Sequence, residues 1–232
     1  MNALLKITLA ASVLLPAVVL SPRAEACGVF FEGGRPPSPK LVAQVPKRTP
    51  SNAVEVAQVM IDSAAYATAA TTLATTFPTL KTGDTTSPVD ARAHRLMALA
   101  LVRSEGAAGS AQFPTATADQ KLANVQWAIG ALRGLNARRT NDPALQADLG
   151  EALAHVPSLH DEARKVLGAL AEKDLMGSGH AYAALAKLHA EAGDAKATEL
   201  ALSRCKAMAT DKSVCKTPEI ADGKALALAA RS

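Results

Sequence analysis

Few residues in this chain are of a type that does chemistry. Five histidines stand at 94, 155, 160, 180 and 189, and three cysteines at 27, 205 and 215. His155 and His160 lie either side of Pro157 and do not share a helix face, and no His-Glu-x-x-His run occurs. His180 and His189 fall on one expected helix but more than two turns apart, too far for a shared ligand. Met176-Gly177-Ser178-Gly179 lacks the nucleophile-elbow spacing and reads as a turn between helices. Cys27 as a nucleophile would need a positioned base, and no residue pattern supplies one. The expectation is therefore no catalytic centre, no metal and no cofactor.

The cysteines carry more information than the histidines. Cys205 and Cys215 are expected at the end of one helix and in the loop behind it, so a short ring can join them. That pairing leaves Cys27 odd. The competing readings are a bridge to Cys27, or a Cys205 that is simply a buried thiol on the inner side of its helix.

Helices must position all of these residues. Alanine is abundant, only 3% of the chain is aromatic, and no stretch alternates with period two in β-branched residues. An all-α fold follows. From Asn141 to Thr210 four helices run consecutively. Asp142-Pro143 supplies an N-cap and first-turn proline, and Leu145, Leu149, Leu153 and Val156 form an apolar stripe. Ser158 with Asp161 reads as a capping start for the next, with Ala163, Val166, Leu167 and Leu170 inward. Tyr182, Leu185, Leu188 and Ala192 mark the third. Gly193 is its C-cap, and Asp194 caps a fourth, with Leu200, Leu202 and Met208 as apolar contacts.

Upstream, Val54, Ala57, Met60 and Ile61 mark one helix, and Tyr66, Ala69, Ala70 and Leu73 a second. Ser87-Pro88-x-Asp90 opens a third through Leu101. A loose loop spans Gly106 to Pro114. Thr117-x-x-Gln120 then starts a helix through Leu122, Val125, Ile129 and Leu132, with Trp127 as its one large anchor. Thr217-Pro218 opens a last helix, Glu219 to about Ala230, expected to cap one end of the stack.

The segment from Tyr182 to Cys205 resembles a tetratricopeptide repeat, a helix pair of about 34 residues. Tyr182, Leu185, Ala186, Gly193, Asp194, Leu202 and Cys205 match its spacing of large and small residues, while His189 and Thr198 depart from it. The preceding pair matches through Leu149, Gly150, Leu153 and, one residue late, Ala163. The resemblance implies stacked antiparallel helix pairs, about eight or nine helices, forming an α-solenoid. It also implies that the first helix of each pair lines a concave groove. Carried over by position, the groove residues are His180, Ala183, Lys187, Ala190 and Glu191 in the better match. In the weaker one they are Ala144, Ala147, Glu151, Ala154 and His155.

Residues 1–26 read as an export signal: Lys6, an apolar run from Ile7 to Leu20, and Ala24-Glu25-Ala26 as the cleavage site. The run is too short to span a membrane. Cleavage would expose Cys27 as the first mature residue. Arg23, Ala24 and Glu25 do not match a lipoprotein site, so soluble export to the periplasm or beyond is preferred to acylation at Cys27. Residues 27–50 are rich in proline and glycine and read as a linker carrying the apolar pair Phe30-Phe31. Residues 51–232 form the helical domain.

The chain carries 25 basic and 21 acidic side chains. Losing Lys6, Arg23 and Glu25 takes these to 23 and 20, a net of +3. The basic residues form no long run and no aromatics interleave with them, which gives nucleic-acid binding no support. The expected function is a non-enzymatic scaffold of the bacterial envelope that binds a protein or peptide partner. The competing expectations are an enzyme whose site is assembled from dispersed residues such as His155, His180 and Glu151, and a structural envelope lipoprotein anchored through Cys27.

Overall fold

The computed structural model describes residues 49–83 and 85–216. The export signal, most of the linker with Cys27 and Phe30-Phe31, and the capping helix expected from Glu219 lie outside the described residues. Eight α-helices run in order: α1 Pro50–Asp62, α2 Tyr66–Thr76, α3 Pro88–Arg103, α4 Ala118–Arg138, α5 Pro143–Leu153, α6 His160–Glu172, α7 Gly179–Glu191 and α8 Ala195–Met208. Two short 3-10 turns, Pro157–Leu159 and Lys212–Val214, complete the described structure. No strand is present among these residues.

Each even-numbered helix packs on the odd one before it, and α2, α4 and α6 also touch the odd helix that follows. The odd helices meet one another in sequence, α1 on α3, α3 on α5 and α5 on α7. One continuous core runs through both layers, from Val54 and Ile61 through Leu96, Leu101, Leu132 and Leu153 to Leu167, Leu188 and Cys205.

Local chemistry sets most of the helix starts. Thr49, Asp142, Ser178 and Asp194 each accept a hydrogen bond from a first-turn amide. Thr117 and Gln120 make the full reciprocal capping box. The expected cap at Ser158 is not formed. Pro157 tightens the chain into a 3-10 turn, so α6 starts at His160 behind Leu159, with no side-chain cap.

The helix ends share one device. After α1, α3, α6 and α7 the chain passes through a left-handed residue: Ala64, Glu105, Asp174 and Gly193. In each case the next amide reaches back five residues: Ala65 to Met60, Gly106 to Leu101, Leu175 to Leu170, and Asp194 to His189, at 2.7–2.9 Å. This closure satisfies carbonyls that the helix leaves open and turns the chain sharply.

Two expectations are corrected. The segment from Gly106 to Pro114 is anchored, not loose: Phe113 is fully buried, edge-on to Trp127 at 4.6 Å. The Gln112 amide donates to the Ala74 and Phe77 carbonyls, and the buried Asn124 amide donates to Gly106 and Pro114. Leu122, Leu200 and Met208, expected inward, are 47%, 65% and 47% exposed. Leu200 and Met208 lie on α8, the last of the described α-helices, with no following α-helix described to pack on it.

Candidate functional site

The odd-helix layer carries the polar side chains that the apolar layer cannot hold. On α3, Arg95 and Arg103 stand two turns apart, and on α5, Asp148 and Glu151 stand one turn apart, facing them. Arg95 Nε lies 2.5 Å from Asp148 Oδ2. Arg103 grips Glu151 with two bonds, Nε to Oε1 at 2.8 Å and Nη2 to Oε2 at 3.1 Å. The carboxylates are nearly sealed, at 5% and 3% exposure, while Arg95 and Arg103 are 33% and 10% exposed. The arginines thus stand outermost, held by carboxylates buried behind them.

The two acids titrate in opposite directions. Burial raises Asp148 to about 6, because Arg95 and its single bond offset only part of the lost hydration. Burial also works against charge on Glu151, but the Arg103 charge and its two hydrogen bonds prevail and hold Glu151 below its ordinary value. Arg103 is raised in turn, Glu151 outweighing the burial that disfavours its charge. Such a pair adds little net stability when intact, yet removing one partner leaves an uncompensated buried charge.

A cavity of about 390 Å3 opens beside this ladder. Gln58 and Asp62 of α1, Tyr66 of α2, Arg95, Leu99 and Arg103 of α3, and Asp148 of α5 form one side. Gly177 to His180 at the start of α7 and the segment from Met208 to Asp211, with Val214, form the other. That segment is tied down in three ways. Cys205 and Cys215 are joined by a disulfide. Lys212 Nζ donates to the Ala209 carbonyl at 2.6 Å and also to that of Lys206. Ala209 lies against Gly179 so closely that a Cβ on the glycine would fall 2.6 Å from the alanine methyl. Only glycine fits at this first position of α7.

The structure distributes the sequence-derived groove residues unevenly. His180 borders the cavity, and burial followed by the Arg103 charge lowers its pKa, so it is neutral at pH 7. His155 is lowered by burial too, with Glu151 opposing and Lys187 reinforcing the shift. Glu151 is 2% exposed with both oxygens on Arg103, so its role is to hold that guanidinium and not to meet a partner. Lys187 is exposed. Glu191 pairs across the helix layer with His160 Nδ1 at 2.9 Å rather than with Lys187 on its own helix. Ala147, Ala154 and Ala190 are buried. Cys205 and Cys215 form the expected bridge.

Sequence reasoning missed Arg95, Arg103, Asp148, Tyr66 and Asp211. The only signal for the ladder was opposite charges at turn spacing on two separate helices. Such charges read as a solvated surface until the helices are placed. Among the described residues no group of three histidine, cysteine or acidic side chains could hold a metal ion. No helix among them is long and apolar enough to cross a membrane. No protein-family model matches the chain, and neither a curated protein nor a solved structure shows significant similarity to it.

Proposed function

We propose that this protein is an exported helical-repeat scaffold whose odd-helix face binds a peptide or protein partner. The observation that carries the reading is the cavity itself. It is lined by residues from α1, α3, α5 and α7, the first helix of every pair, together with Tyr66 of α2 and the segment from Met208 to Val214. Its arginines are held in fixed orientations by buried carboxylates. A pre-ordered polar surface of this kind lowers the entropy cost of recognition. The stacked pairs, with odd helices meeting in sequence, support an α-solenoid of tetratricopeptide type. The Cys205–Cys215 bridge favours an oxidising compartment and so supports export to the periplasm or beyond.

Lys187 offers the cleanest test. It is exposed, no ion pair among the described residues ties it down, and it lies near His155 at the α7 end of the face. A substitution there changes stability by no more than about 0.5 kcal/mol. The experiment selects peptides from a random displayed library on the oxidised full-length protein, then measures each against wild type and Lys187→Glu. Peptides that bind wild type should lose affinity for the variant while the melting temperature holds. Equal affinity would move the binding surface off this face.

A further inference from the structure

We infer that a second, smaller cleft beside the cavity is an oxyanion site, built for a tetrahedral phosphate-type dianion. It encloses about 250 Å3 and shares Gln58 and Arg95 with the larger cavity. Its polar lining is three arginines, Arg92 and Arg95 of α3 and Arg139 at the end of α4, with Gln58. The remaining wall is apolar: Pro88, Ala91, Leu96, Leu135 and Leu145. Among the described residues no carboxylate lines it.

Three nearby acids are turned to other tasks, and Asp90 of the first turn of α3 does not line the cleft. Asp148 lies behind Arg95 and takes its Nε, which leaves the two Nη groups of Arg95 without a hydrogen bond among the described residues. Asp142 spends Oδ1 on the amides of Ala144 and Leu145. Asp62 accepts the Gln58 amide at 2.9 Å. The cleft also meets the positive end of α3: Pro88 and Ala91 of its first turn line the wall, and the Ser87 side chain forms no cap bond there.

Like charges gathered from two helices repel one another; Asp148 offsets that of Arg95 from behind, and no carboxylate in the wall faces them. A dianion reverses that sign. The guanidinium fork matches two oxygens of a phosphate at once, which a chloride or a single carboxylate cannot use fully from three directions. The site stands apart from the peptide reading, since Arg92 and Arg139 do not line the larger cavity and Lys187 does not line the cleft. The phosphate can arrive as the free ion or as a monoester on a small molecule, and the test separates the two.

The full-length oxidised chain is titrated with inorganic phosphate and, separately, glycerol 3-phosphate, at constant ionic strength set with chloride. Binding is read by calorimetry and by the arginine Nε–Hε resonances. Saturable binding that shifts the signals of Arg92, Arg95 and Arg139 is expected, weakened at least tenfold by Arg92→Ala or Arg139→Ala and untouched by Arg133→Ala. Arg92 and Arg139 are exposed, so far-UV circular dichroism should be unchanged; if either alanine variant unfolds, Arg92→Lys replaces it, with a smaller loss expected. Tighter binding of inorganic phosphate supports the site with the free ion as ligand, and tighter binding of the ester supports it with a monoester. Absence of saturable binding for both probes, or full affinity in folded Arg92→Ala, overturns the assignment.

Discussion

Asp148 and Glu151 lie one turn apart on one helix, both nearly sealed from water, yet their proton affinities diverge. The difference is the partner. Arg103 is almost buried and gives two bonds, whereas Arg95 is a third exposed and gives one. The divergence has a consequence for stability. The folded chain keeps a proton on Asp148 up to about pH 6, while an unfolded aspartate, with an ordinary value of 3.8, has released it. Between those values the folded state binds more protons, so this residue's contribution is largest at low pH and is lost as pH rises through 6. His155 and His180 act in the opposite sense: their folded values lie below 6.5, so their contribution is lost as pH falls below that. Asp148→Asn isolates the first effect. Denaturant unfolding of both proteins should show wild type losing stability relative to the variant between about pH 4 and pH 7. A constant difference across that range would mean Arg95 compensates the carboxylate fully.

At the scale of the helix, glycine separates packing from propensity. A Cβ on Gly150 of α5 would stand 2.5 Å from Leu167 of α6, a side chain with no exposed surface and no room to yield. A Cβ on Gly130 of α4 would meet nothing within 4 Å. Alanine in a helix interior gains about 0.5–1 kcal/mol over glycine, and overpacking a core costs about 1–3 kcal/mol. Gly130→Ala should therefore raise the melting temperature and Gly150→Ala should lower it. The two measured together check the α5–α6 contact; a stabilising Gly150→Ala would show that these helices pack less closely than described. Gly150 was visible in the sequence as a small residue at a repeat position, but its partner Leu167 was not.

In the molecule as a whole, the disulfide joins the end of the helical stack to the wall of the cavity. Cys205 lies on α8 and Cys215 beyond the 3-10 turn, a separation of 10 residues. Closing so short a ring removes about 2–3 kcal/mol of unfolded-state freedom in the chain-entropy account. Replacing both cysteines with alanine should lower unfolding stability by about that amount. Hydrogen exchange should quicken at the amides of Val214 and Cys215, which bond to Asp211 and Lys212, while amides in α3 to α5 keep their protection. Unchanged exchange in this segment would assign its hold to Lys212 and to the Ala209–Gly179 contact alone.

Composition, helical period and caps determined the secondary structure directly. Thr117 with Gln120, Asp142 with Pro143, and Asp194 after Gly193 each specify a helix boundary through bonds that reach no further than four residues. The Cys205–Cys215 pair was legible for the same reason, since the ring it closes is short. Two left-handed turns, at Ala64 and Glu105, carried no such mark, because alanine and glutamate are good helix formers. Asp174 is of a type that tolerates this conformation but did not stand out in the sequence. The exposure of Leu200 and the burial of Glu151 carried no mark either. A helical stripe tells which residues share a face, but only the neighbouring helix decides whether that face is covered. The ladder from α3 to α5 joins residues 53 and 48 positions apart, and the two clefts join residues further apart still, Gln58 with Leu145 in one and with Val214 in the other. Charges on separate helices have no sequence relation to one another. Tertiary packing alone decided that Arg95 would stand between two clefts, with Asp148 sealed behind it.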